Sequence, residues 1–122
     1  MNIGKKIVEM LAVTLGVDEA MITSDAQLID DLGAESIDFI DICYQLEKNF
    51  NIGRVDITDI YPEEMYGEFS KDSVESIVKK NPYMDKTMMG IMLEQNTYRI
   101  IGSVYAICEF VQWRIEHSDG EE

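Results

Sequence analysis

The sequence predicts an all-α protein: an up-down helical bundle with further short helices between its second and last main helices. Three observations carry that expectation. Apolar residues recur at helical spacing in three separated stretches, residues 2–15, about 36–50 and about 103–115. Glycine and proline stand where helical runs should stop, at Gly16 and Pro82. The length, 122 residues and 14.0 kDa, makes one domain (1–122) the natural expectation, large enough to bury a core without staples.

The first helix is expected over residues 2–15, where Ile3, Ile7, Leu11 and Leu15 recur every four positions and Val8 and Met10 widen the stripe. Gly16 suits its end. A long connection follows, residues 17–35. Loops of that length in a small domain are functional or pinned, and Ile22, Leu28 and Leu32 are spaced to pin it. Gly33 then lets the backbone turn before the second helix, for which Ser36 is the expected N-cap. Ile40, Cys43, Leu46 and Phe50 form its expected core face, with Asp38 and Asp41 on the solvent side.

Beyond Phe50, Pro62 followed by Glu63 and Glu64 is a helix start, since proline loses nothing at the first helical position and acids suit the N-terminal dipole. Gly67 is expected to close that short turn. Asp72 with Glu75 reads as a variant capping box opening a helix through Val74, Ile77 and Val78, which must stop near Asn81 because Pro82 follows. Asp85 is placed to cap a further helix, Lys86 to about Gln95, with Met88, Met89, Met92 and Leu93 as its apolar set. The last helix begins near Ser103 and runs through Val104, Ile107, Cys108, Val111 and Ile115. An acidic, frayed tail is expected from His117 to Glu122.

The stretch from Asp31 to Ile52 carries the chemistry. A glycine turn presents a serine hydroxyl at the tip of an acidic helix, placed to be modified rather than to react by itself. Asp31, Leu32, Gly33, Ser36, Ile37, Asp38 and Asp41, followed by Leu46, Glu47, Phe50 and Ile52, resemble the modification site of acyl carrier proteins. Glu35 stands where that family has Asp, and Ile37 where it has Leu, which keeps charge and volume. The run from Ile37 to Asp41 is closer to specialised carriers of very long chains than to the housekeeping protein. The resemblance implies that Ser36 carries 4′-phosphopantetheine, donated from coenzyme A by a separate phosphopantetheinyl transferase. The arm's thiol then holds acyl chains as thioesters for fatty acid or specialised lipid biosynthesis. It also implies that Glu35, Asp38, Asp41 and Glu47 are read by basic patches on acyl-processing enzymes, with Lys48, where many members have an acid, diluting that face. The physics agrees with the placement, because a phosphodiester at a helix N-terminus is an anion where the dipole and free N–H groups favour one. Against the short members of the family, residues at about 56–96 are an insertion, and the resemblance resumes in the last helix.

Composition narrows the partners. With 24 acidic and 10 basic residues the formal charge is −14, which disfavours nucleic acid and anionic membrane surfaces and favours basic protein patches. No stretch approaches the ~18 apolar residues of a membrane span, and no signal peptide is read near Lys5 and Lys6, so a cytoplasmic monomer is expected. Cys43 and Cys108 have no metal-ligand spacing and read as buried thiols. No calcium loop fits either: Gly33 or Gly67 at the sixth position would put Leu28 or Pro62 at the first. A serine enzyme lacks an activating base, since the one histidine is His117 near the end of the chain, so no catalytic residue is expected. The competing readings are a non-carrying helical adaptor and a peptidyl or aminoacyl carrier. Met84, Met88, Met89 and Met92 read as filler between the inserted helices and the bundle, or as an adaptable apolar surface for a long chain or a dedicated enzyme.

Overall fold

The computed structural model describes residues 2–117. Of the tail expected from His117 to Glu122, His117 is instead the last residue of a helix, and residues 118–122 lie outside the described residues. The described chain is all-α, with helices α1 (Ile3–Leu15), α2 (Ser36–Asn49), α3 (Ile57–Ile60), α4 (Lys71–Lys80), α5 (Lys86–Gln95) and α6 (Val104–His117). Three 3-10 turns join them, Glu19–Met21, Glu63–Tyr66 and Arg99–Gly102. None of the described helices is long and apolar enough to cross a membrane.

Helix α1 starts where Asn2 Oδ1 accepts the Lys5 N–H at 3.0 Å and ends at Gly16, burying Ile7, Met10 and Leu11. It packs against α2 and α6. The long connection is pinned as its apolar spacing predicts: Ile22, Leu28 and Leu32 are buried, with Ala26 and Ala34 beside them. Its backbone is also zipped to the start of α6. Leu28 N–H donates to the Gly102 carbonyl at 2.9 Å, while Val104 and Tyr105 N–H groups donate to the Ala26 and Ser24 carbonyls at 3.0 and 2.8 Å. The first N–H groups of a helix have no partner within it, and here the connection supplies them. Ser103, buried at this junction, donates its hydroxyl to the Ile100 carbonyl and accepts the Ala106 N–H. A Cβ at position 102 would sit 3.0 Å from Tyr61 Oη and 3.1 Å from Gln27 Oε1, so glycine allows this close approach.

Helix α3 was not expected from the sequence. It is only 4 residues long, with Asp59 Oδ2 accepting the Asp56 N–H at 2.8 Å. Arg114 of α6 holds it in place, pairing with Asp59 at 3.3 Å and donating to the carbonyls of Ile52 and Arg54 at 3.0 and 2.9 Å. The turn after Pro62 forms as a 3-10 turn closed at Gly67. For α4 the expected cap needs correction. Ser70, not the Asp72–Glu75 pair, caps the helix: its backbone is extended and its Oγ accepts the Ser73 N–H at 3.0 Å, which leaves Asp72 and Glu75 as exposed residues of the first turns. The helix stops at Asn81, before Pro82, and Asp85 caps α5 by accepting the Met88 N–H at 3.0 Å.

Helices α4 and α5 pack on each other, and α5 on the Arg99–Gly102 turn, whereas α6 packs on α1 and α3. Met84, Met88 and Met92 are almost fully buried, and Met89 is half-buried against the core. The methionines are therefore filler of irregular space and not an exposed adaptable surface. Tyr98 donates to the Glu68 carbonyl at 3.2 Å and packs on Phe69, tying the segment together, while Tyr83 meets Phe110 of α6 edge-on.

Leu28 is fully buried where the connection meets α6. Leu28→Ala is expected to lower stability by about 2–5 kcal/mol in denaturant titration; a loss below ~1 kcal/mol would mean the connection is not a structural part of the core.

Candidate functional site

The site begins with the turn over residues 27–34. Asp31 Oδ2 accepts the Gln27 N–H at 2.7 Å, and the N–H groups of Asp31 and Leu32 return to the Gln27 carbonyl. Gly33, at φ +74, then donates to Ile29, and Ala34 donates to Leu28. Buried Leu32 and Ala34 fix the inner side of this turn. Asp31, read from the sequence as part of the motif, thus has a structural role, knotting the turn that presents the serine.

Helix α2 follows, and here the expected cap is corrected. Glu35, extended at φ −113, is the N-cap, and Ser36 is the first helical residue. The start is closed by Asp38, whose Oδ2 accepts the Glu35 N–H at 2.8 Å. Asp38, at the third helical position, thus satisfies the N-cap's own N–H, a different donor from the one an N-cap serine hydroxyl would take, and the cap position belongs to Glu35. Ser36 is left exposed at the helix tip. That is a fit for a phosphodiester: an accessible oxygen beside the first-turn N–H groups of a 14-residue helix.

The four acids expected to face partners are not equivalent. Glu35 and Asp41 are exposed. Asp38 is half-buried and engaged in the helix start. Glu47 is exposed, but its Oε2 accepts the Val55 N–H at 2.6 Å and fastens the approach to α3.

Sequence reasoning placed Ile40 in the core, and the structure reverses that. The core face of α2 is Phe39, Ile42, Cys43 and Leu46, continued by Phe50. Ile37, Ile40 and Tyr44 are 71%, 63% and 57% exposed, an apolar stripe along the outer side of the helix. The available signal was an excess: apolar residues between 37 and 46 outnumber what one helix face can bury. Positions 40, 43, 44 and 47 succeed Ser36 at helical spacing, so they share a side of α2 with it. These same residues, with Val55, Asp56, Ile57 and Thr58, line a groove of about 380 Å³ between α2 and α3. Ile40, one turn beyond Ser36, thus lines the groove, whose walls also carry Glu47, Asp56 and Thr58.

His117 is occupied in the last turn of α6, its ring stacked on Trp113 at 4.2 Å and its Nδ1 2.9 Å from the Trp113 carbonyl. Cys43, on the buried side of α2, has its thiol pushed up to about 11, first by burial and then by the charges of Asp59, Glu47 and Asp56.

Residues 5–67 match the family model described as the phosphopantetheine attachment site, a span that includes Ser36. Among curated proteins the chain is similar to the acyl carrier protein of Thermotoga maritima, 38% identical over 79 residues that cover 65% of this chain and 91% of that relative. It is likewise similar to the acyl carrier protein of Buchnera aphidicola subsp. Baizongia pistaciae, 39% identical over 79 residues (65% of this chain, 94% of the relative). A third, the acyl carrier protein of Solidesulfovibrio magneticus, is 32% identical over 80 residues, 66% of this chain and 96% of the relative. No solved structure gives a significant match.

The raised Cys43 thiol has a consequence for labelling. A thiol reagent at pH 8 is expected to modify Cys43 at least tenfold more slowly in the folded protein than in denaturant, because both access and thiolate are suppressed. Equal rates, followed by peptide mass spectrometry, would contradict the buried position.

Proposed function

Since the chain belongs to the acyl carrier protein family, we propose that Ser36 is the residue through which it holds its prosthetic group. The chain is an acyl carrier, and that group is covalent 4′-phosphopantetheine, which supplies a thiol able to hold acyl chains as thioesters. Acyl carrier proteins are carriers rather than catalysts, and fatty acid biosynthesis is their usual setting. The observation that carries the assignment to Ser36 is its exposed position at the first turn of α2, with the helix start closed by Glu35 and Asp38 instead.

The neighbouring residues divide the remaining work. Gly33 and Asp31 shape the turn that presents the hydroxyl. The first-turn N–H groups of α2 stabilise the phosphodiester charge. No base of this chain is assigned to remove the Ser36 proton, so the transferase supplies it; this is the reading of the chain as a non-enzyme. The groove between α2 and α3 shelters apolar cargo, since each sequestered CH₂ gains about 0.8 kcal/mol.

Acyl carrier proteins work with a phosphopantetheinyl transferase and acyl-processing enzymes. For this chain the docking surface is the outer side of α2: Glu35, Asp38, Asp41 and Glu47 supply charge, and Ile37, Ile40 and Tyr44 supply apolar contact. Exposure of Asp41 and the apolar stripe supports that surface. We further read the chain as a single domain carrying an insertion at about 56–96 and working as a cytoplasmic monomer. The packing of α6, and not of α4, on α1 supports the insertion, as does the share of the chain that relatives leave uncovered. The adaptor reading is not favoured, because the matched family is defined by arm attachment.

Co-expression with a competent transferase is expected to add the mass of one phosphopantetheine to the intact protein and none to Ser36→Ala. An unchanged wild-type mass, or equal modification of the variant, would overturn the assignment. In the same assay Asp41→Lys is expected to slow modification about tenfold through lost electrostatic steering, with unchanged Tm; an unchanged rate would remove Asp41 from the docking surface.

A further inference from the structure

A second groove, of about 720 Å³, lies where the connection after α1 meets the inserted segment. Met21, Gln27 and Asp31 line it from the connection, Ile91 and Gln95 from α5, and Tyr105 from α6. The α5 wall lies beyond residue 67, where the family match ends, so the groove depends on the part of the chain that the attachment-site model does not describe.

Its position relative to Ser36 is constrained by the chain itself. Asp31 precedes Ser36 by five residues, a span of at most about 18 Å when extended, and the hydrogen bonds of the Gly33 turn make it shorter. The root of the arm therefore stands within about 18 Å of a residue that lines the groove.

The lining chemistry selects the occupant. Arg99 is paired with Asp30 at 3.1 Å, while Asp25 and Asp31, each accepting one hydrogen bond, keep exposed carboxylates that take N–H or O–H donors and repel anions. The rest of the lining is neutral. The side-chain amides of Gln27 and Gln95 and the hydroxyls of Thr87 and Tyr105 alternate with the aliphatic surfaces of Ile91 and Ile100. A bare hydrocarbon would strip water from these polar groups and return no hydrogen bond. An anion would find no uncommitted cation in the lining. A pantetheine arm matches, since it carries two amides, a hydroxyl and a pair of geminal methyl groups and no charge beyond its phosphodiester root.

We propose that this groove is a docking site for the chain's own pantetheine arm, formed between the first connection and inserted helix α5. The inference rests on the reading of Ser36 as the attachment residue. It gives the insertion a function: the unloaded arm lies against α5 between encounters, and it leaves for the α2–α3 groove when it carries apolar cargo.

The test is NMR on isotope-labelled holo-protein whose intact mass establishes one arm, mapped by peptide fragmentation to Ser36. Expected are nuclear Overhauser contacts from the arm's geminal methyls to the Ile91 and Ile100 methyl groups, and their loss in Ile91→Glu and in Gln95→Lys. Both variants are expected to keep the wild-type Tm and full modification, since Gln95 is exposed and Ile91 half-buried. Contacts confined to Ile40 and Tyr44, no contacts at all, or groove shifts that appear only when a partner protein is added would overturn the docking site alone. A protein whose mass does not change, or whose arm maps elsewhere, would overturn the attachment reading and the docking site together.

Discussion

The structure depends on the seam between the long connection and the start of α6. Helix α6 begins with donors that its own turns cannot satisfy, and the connection offers acceptors in register, Ser24 and Ala26, while taking the Gly102 carbonyl for Leu28. Each backbone bond contributes little on its own, about 1 kcal/mol. Together with buried Leu28, Ile22 and Leu32 they turn a mostly irregular segment into a fixed strut. The position of Ser36 follows, because the turn that presents it is the last part of that strut. A hydroxyl offered to another enzyme must be accessible and still held in one place, and the seam supplies the second property without covering the first.

The opening of α2 divides labour along similar lines. Had Ser36 been the cap, its hydroxyl would have been committed to a backbone N–H. Glu35 takes the cap position and Asp38 closes it, so the modifiable oxygen is spare. Two of the acids read as partner-facing thus have structural duties as well, Asp38 at the helix start and Glu47 at Val55. A charge change at either would mix folding and docking effects, whereas Asp41 reports on docking more cleanly.

Much of this was legible in the residues. Helical spacing located α1, the anchors of the connection, α5 with its Asp85 cap and the end of α4 ahead of Pro82, and the density of the motif around Ser36 identified the family. Besides the cap of α2, three features were not legible, for identifiable reasons. Helix α3 is one turn whose position depends on Arg114, 62 residues from the Ile52 carbonyl it binds, so no local pattern announces it. Ser70 and Asp72 are both capable caps, and backbone geometry chooses between them. Seven apolar residues between 37 and 46 are more than one face of α2 can bury, and packing against Tyr61, 4.8 Å from the Phe39 ring, puts Phe39 rather than Ile40 on the buried side. The exposed stripe on α2 was hidden by that ambiguity.

The central claim is that the Ser36 oxygen is where the arm leaves the protein. Fragmentation mass spectrometry of protein taken from its native host tests it most directly. The peptide containing Ser36 is expected to release a phosphopantetheine fragment bearing either a free thiol or an acyl thioester. An unmodified Ser36 in that protein, or the same fragment arising from a different serine, would contradict the claim.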